Sequence, residues 1–136
     1  MAKLFSLKIL TPEREFFEGE VEAVNLNAPD GKVEILANHT PFIMPVDVGT
    51  LSIKQNGEWT EAVNSEGFIE VRRHDVVIFV QTCERHDEID VRRAEEARRH
   101  AEEVMRQKQS MTEYQQSKLA LARAMARLKL SGPGRH

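Results

Sequence analysis

Glu88-Ile89-Asp90-Val91-Arg92-Arg93-Ala94 is where the chain changes its period. Upstream, short apolar runs alternate with polar residues and are interrupted by Gly and Pro, the manner of strands and turns. From Phe68 to Ser131 there is no Gly or Pro, and from Asp90 onward the apolar residues recur at steps of three and four. The change predicts an α+β chain: an antiparallel β-sandwich over residues 1–86, then an antiparallel two-helix hairpin over residues 87–136.

The helical part follows from its ends and stripes. Asp90 suits a helix N-cap, its carboxylate accepting from free backbone N–H groups at the positive end of the dipole. Val91, Ala94, Ala97, Ala101 and Val104 or Met105 form the predicted stripe of the first helix. Ser110-Met111-Thr112-Glu113 is a capping-box pattern that starts the second. Tyr114, Leu121, Met125 and Leu128 carry its apolar stripe, with Ala120 and Ala124 beside it, and Gly132-Pro133-Gly134 stops it. The expected connection lies near Gln107 to Ser110. A seam made mostly of alanine buries little apolar surface, so the hairpin is predicted to be marginal alone.

Asp90 and Arg93 lie three apart, and Arg123 and Arg127 four apart, so each pair shares a helix face. Antiparallel packing brings the start of the first helix toward the end of the second. Guanidinium forks match phosphate oxygens, a carboxylate can accept from an adenine amino group, and small Ala94 leaves room for a base or ribose. The same residues also read as structure alone. Asp90 then only caps, Arg93 pairs with Glu96 or Glu88, and the late arginines steady the helix C-terminus. Both readings stay open on the residues.

Outward from the hairpin, Phe5, Leu7 and Ile9 alternate as a strand before Thr11-Pro12-Glu13. Val21, Val24 and Leu26 suggest another, ahead of a Pro29-Asp30-Gly31 turn, and Val33, Ile35 and Leu36 a third. Ala37 to Pro41 is an irregular loop. Asn56-Gly57 between Leu51/Ile53 and Trp59–Val63 is the strongest hairpin signal. A last hairpin joins Gly67–Val71 to Val76–Val80 through Arg72-Arg73-His74-Asp75.

Nothing here reads as an active site. The histidines at 39, 74, 86, 100 and 136 have no ligand spacing for a metal, and no Walker-type phosphate loop occurs. Cys83 beside His86 lacks an orienting third group. The lone cysteine fits a reducing compartment. No apolar run approaches a bilayer span, and the acid-rich N-terminal region resembles neither a signal nor a transit peptide. Residues 1–87 hold 8 Lys+Arg against 15 Asp+Glu, a balance of −7; residues 88–136 hold 11 against 7, a balance of +4. An acidic β-module with one Trp and no Tyr argues against a nucleic-acid platform.

Taken in order, Thr11-Pro12, Asp30-Gly31 with Ile35-Leu36, His39-Thr40-Pro41, Gly67-Phe68-Ile69-Glu70-Val71, Glu84 ahead of Ile89-Asp90, and Leu119 to Leu128 resemble the epsilon subunits of bacterial F-type ATP synthases. The resemblance covers nearly the whole chain. It implies a non-catalytic central-stalk subunit, peripheral on the cytoplasmic face of the bacterial membrane. Its sandwich would bind the gamma subunit and the c-ring, with His39 in a ring-facing loop. Its hairpin would lie folded, or extend toward the alpha and beta catalytic subunits and inhibit hydrolysis. In a subset of the family the folded hairpin binds ATP as a regulatory ligand through an Ile/Leu-Asp-x-x-Arg-Ala motif that requires no metal. Glu84, Ile89, Asp90, Arg93, Ala94, Arg123 and Arg127 match that pattern. The alternative is the same stalk subunit with a hairpin that binds no ATP and inhibits by electrostatic contact alone. Leu36-Ala37-Asn38-His39, Glu66-Gly67-Phe68, Lys32, Glu34 and His100 depart from residues frequent in relatives, which bears on ring contact and ATP affinity.

Overall fold

A computed structural model describes residues 3–107 and 111–132. Contacts divide the chain into two compact units, Met1–Glu84 and Arg85–His136.

The first unit is built from β1 (Phe5–Leu10), β2 (Glu15–Val21), β3 (Ala23–Ala28), β4 (Gly31–Leu36), β5 (Phe42–Val46), β6 (Gly49–Gln55), β7 (Glu58–Asn64), β8 (Gly67–Val71), β9 (Asp75–Val80) and β10 (Cys83–Arg85). They form two five-stranded sheets, ordered β2-β1-β9-β8-β5 and β10-β7-β6-β3-β4. Alternate residues from both sheets fill one core, with Leu7, Ile9, Val24, Leu26, Ile35, Leu51, Ile69 and Ile78 almost fully excluded from water. The fold class is the expected one. One pairing is not antiparallel: β1 runs parallel to β9, Leu7 opposite Val76 and Ile9 opposite Ile78. The two strands are joined by a long excursion through both sheets rather than a hairpin, so no tight turn dictates their relative direction.

β2 is a strand the apolar pattern does not announce. Its exposed positions are acidic, as befits the edge of a sheet that must not pair with another chain. β5 is also an edge, which is where Pro45 is tolerated inside a strand. The Asn56-Gly57 turn carries positive φ at both residues, 51° and 78°, as a two-residue hairpin demands.

The second unit opens with a 3-10 turn, His86–Glu88, and continues as α1 (Val91–Arg106) and α2 (Met111–Ser131). Arg98 shares a groove with Met125–Lys129, whereas Glu102, Met105 and Arg106 face Tyr114 and Leu121, so the helices are antiparallel. The seam differs from the predicted stripe. Ala94 and Ala101 are buried, but Val91 and Ala97 are exposed, and the inner face steps from Ala94 to Arg98 to Ala101. In α2, Ala124 and Leu130 are buried while Met125 is 52% exposed and Tyr114 is also exposed. α2 is apolar or small on several faces, so its periodicity does not select one stripe. The expected cap at Ser110 and the stop at Pro133-Gly134 lie outside the described residues.

Candidate functional site

The start of α1 is fixed by its own chemistry. Asp90 has extended backbone and is the N-cap: its Oδ1 accepts from the Arg93 N–H at 3.0 Å. Its backbone carbonyl accepts from the Ala94 N–H, also at 3.0 Å. Just upstream, Glu88 Oε1 accepts from the Arg85 N–H at 2.9 Å and lies 3.6 Å from Arg85 Nη1, bracing the 3-10 turn. Half-buried Ile89 and exposed Asp90 are thus an extended joint between two capped helical segments.

The arginines sort themselves differently from the purely structural expectation. It is Arg92, not Arg93, that pairs with Glu96, Nε to Oε1 at 3.3 Å. Glu88 is taken by Arg85. Among the described residues the exposed Arg93 guanidinium makes no hydrogen bond or ion pair. Ala94 beside it is buried against the seam.

Arg123 and Arg127 are half-buried on α2 and engaged by neighbours. The groove sets Arg127 level with Arg98. At 1.5 Å per residue, Arg127 is then roughly 7 Å along the axis from Arg93, and Arg123 roughly 13 Å. Those separations are along the axis only. Glu84 sits half-buried on β10 and belongs to the first unit, so the predicted set is divided between the two units. The preceding Cys83 carbonyl accepts from Arg14 Nη2 at 3.1 Å, and the Arg14 guanidinium lies 5.2 Å over the Phe16 ring.

His39 is exposed in the β4–β5 loop, its Nδ1 3.0 Å from the Thr40 carbonyl oxygen and its ring 5.0 Å from Phe42. Asn38 before it has φ 63°, a conformation Asn tolerates better than most residues. Among the described residues no group of three or more His, Cys, Asp or Glu is arranged to hold a metal ion, and no helix is long and apolar enough to cross a membrane.

Two features escape the sequence pattern. On the outer face of the β2-β1-β9-β8-β5 sheet, register aligns Leu10 with Phe79, Phe79 with Phe68, and Phe68 with Pro45. The Phe68 and Phe79 rings stack at 4.9 Å, and Phe68 is 45% and nearby Ile43 68% exposed. Alternation within β8 and β9 places these residues outward, but only the cross-strand register makes them a row. The second feature is Arg98, whose guanidinium is forked between Glu95 and Glu102 at 2.8 and 2.7 Å. That bracing holds its pKa above the ordinary value, chiefly through the hydrogen bond to Glu95.

Residues 4–86 match the family pattern described as ATP synthase, Delta/Epsilon chain, beta-sandwich domain. Residues 87–132 match ATP synthase, Delta/Epsilon chain, long alpha-helix domain. The sequence is 48% identical over 124 residues to the ATP synthase epsilon chain of Ruminiclostridium cellulolyticum, covering 91% of this chain and 92% of the relative. It is 46% identical over 132 residues to that of Caldanaerobacter subterraneus subsp. tengcongensis, covering 96% of each. In fold it is similar to a chain of the Euglena gracilis mitochondrial ATP synthase OSCP/F1/c-ring assembly. There the TM-score is 0.78 at 21% identity, over 94% of this chain and 81% of that one. It also resembles a chain of the Tetrahymena thermophila mitochondrial ATP synthase central stalk and c-ring, with TM-score 0.66 at 13% identity, over 96% and 98%.

Proposed function

This chain belongs to the delta/epsilon chain family of ATP synthases, and from that membership we propose how its two units divide the work of a rotary stalk. It is a non-catalytic accessory subunit of the central stalk, coupling the catalytic head to the c-ring. The sandwich docks on the gamma subunit and the ring. The apolar row Leu10–Phe79–Phe68–Pro45 supplies a desolvating surface for such docking, and the loop around His39 faces the ring. The subunit is peripheral, on the cytoplasmic side of a bacterial membrane.

The hairpin is the regulatory part. Folded, it binds ATP through Ile89, Asp90, Arg93, Ala94, Arg123 and Arg127. Extended, it reaches the alpha and beta subunits and restrains hydrolysis. ATP favours the folded form because it binds that form better. Arg93 carries the nucleotide reading: a guanidinium next to a capping aspartate, with no protein partner among the described residues. The cap and ligand roles are compatible, since Oδ1 serves the Arg93 N–H and a second carboxylate oxygen remains to accept.

Titration of the intact chain with ATP is the test. Millimolar ATP should raise the melting temperature and slow amide exchange in both helices, and Arg93→Ala should weaken binding by about 1–3 kcal/mol without lowering the unliganded melting point. No response to ATP would remove the switch.

One observation favours the second reading. Among its described residues α2 carries Lys118, Arg123, Arg127 and Lys129 against Glu113 alone. A helix so basic can restrain an acidic catalytic surface by charge without a nucleotide. In that case hydrolysis restraint falls steeply with added salt while ATP leaves the hairpin unchanged.

A further inference from the structure

Arg98 occupies a place that the alanine seam would otherwise give to a small apolar residue. It stands four residues after buried Ala94 and three before buried Ala101, hence on the same face. Its side chain is only 31% exposed and lines the groove formed with Met125, Ala126, Leu128 and Lys129 of α2. Yet both of its carboxylate partners lie on its own helix. Nη2 meets Glu95 Oε2 at 2.8 Å, and Nη1 meets Glu102 Oε1 at 2.7 Å. Among the described residues that line the groove, the charged one across from it is Lys129, of like sign.

We propose that Arg98 is a positioning residue that keeps the two helices separable. It puts a charge into the seam whose partners all travel with α1. A guanidinium lining the groove against α2 gives up part of its hydration when the hairpin closes, which raises the cost of closing it. Because the carboxylates move with it, parting from α2 strands no charge and breaks no ion pair. An inter-helix bridge at this position would do the reverse, because opening would then leave a charge unpartnered. The seam is thus tuned toward easy opening at its middle. The role rests on the mobile-hairpin reading above for its purpose, but not for its physics.

Arg98→Met in the intact chain is the informative variant. Methionine matches arginine in helix propensity and keeps an unbranched stem against Met125 and Leu128 while deleting the charge. Amide exchange at Ala94, Ala101 and Ala124 should become about tenfold slower, as expected when a part-buried ionic group gives way to an apolar one. Arg98→Lys keeps the charge and should exchange no slower than the wild type. Unchanged or faster exchange in Arg98→Met overturns the proposal, because Arg98 would then be holding the hairpin shut. Slowing in Arg98→Lys equal to that in Arg98→Met overturns it too, because charge would not be the cause. Reconstituted with the rest of the complex, Arg98→Met should also respond to lower ATP, its folded form being favoured. Slower exchange with unaltered hydrolysis and ATP response leaves the seam role standing and brings down the mobile-hairpin reading instead.

Discussion

At the scale of single residues, Asp90 is a helix cap for which a ligand role is also proposed, and substitution can separate the two. Its carboxylate caps α1 through one oxygen. Asp90→Ala removes cap and charge, and should destabilise the hairpin by about 1 kcal/mol. Asp90→Asn keeps an acceptor for the Arg93 N–H, because asparagine caps as well as aspartate does. It should melt within a few tenths of a kcal/mol of the wild type yet lose most ATP affinity, since an amide is a weaker acceptor than a carboxylate. Calorimetric titration beside a thermal melt checks both. An Asn variant that binds ATP normally would reduce Asp90 to a cap. Arg93 makes the complementary case. Sequence spacing offered it Glu96 and Glu88, but those carboxylates are occupied by Arg92 and Arg85. That competition among adjacent arginines depends on helix rotation, which spacing alone does not supply.

At the scale of elements, cross-strand register makes an exposed apolar row out of residues that look unrelated in the chain. Leu10, Phe79, Phe68 and Pro45 come from four strands and meet only because β1 pairs in parallel with β9 and β8 lies between β9 and β5. Phe68 stacks on Phe79 but remains nearly half exposed, so little of the sandwich core depends on it. Phe68→Ser should therefore cost under about 1 kcal/mol of stability while weakening capture of the gamma subunit about tenfold or more, the behaviour of an aromatic anchor. Pull-down of gamma by the folded variant reads it directly, and undiminished capture would place the docking surface elsewhere. The same parallel pair marks where sequence reading ran short. Hairpin strands were legible because Asn56-Gly57 and Arg72–Asp75 tie neighbours together locally. β2 was not, because its edge position fills it with glutamates, and β1·β9 was not, because no turn links them. In the hairpin the caps and periods were readable, but the choice of Arg98 over Ala97 as the inward residue turns on a small rotation of α1 that both alternatives in the sequence permit.

At the scale of the whole molecule, the apolar core is distributed very unequally between the units. The main cluster runs from Phe5 to Cys83 and draws on both sheets, whereas the buried apolar side chains of the hairpin are Ala94, Ala101, Ala124 and Leu130 among the described residues. Burial scales with apolar area, and three alanines and one leucine remove little of it from water. Helices of 16 and 21 residues are also near the length at which isolated helices are marginal. A chain ending after residue 86 should therefore melt cooperatively with an intact strand signature in circular dichroism. The separate segment 87–136 should show only partial helicity at 25 °C. In a reconstituted synthase the shortened chain should still bind gamma and support ATP synthesis, while hydrolysis loses its restraint and its dependence on ATP acting through this subunit. Loss of cooperative melting on truncation would mean that the sandwich needs the hairpin. Restraint that persists without the hairpin would mean that regulation resides in the sandwich. The asymmetry of the cores predicts neither outcome, because it assigns stability to the sheets and leaves the helices free to be spent on control.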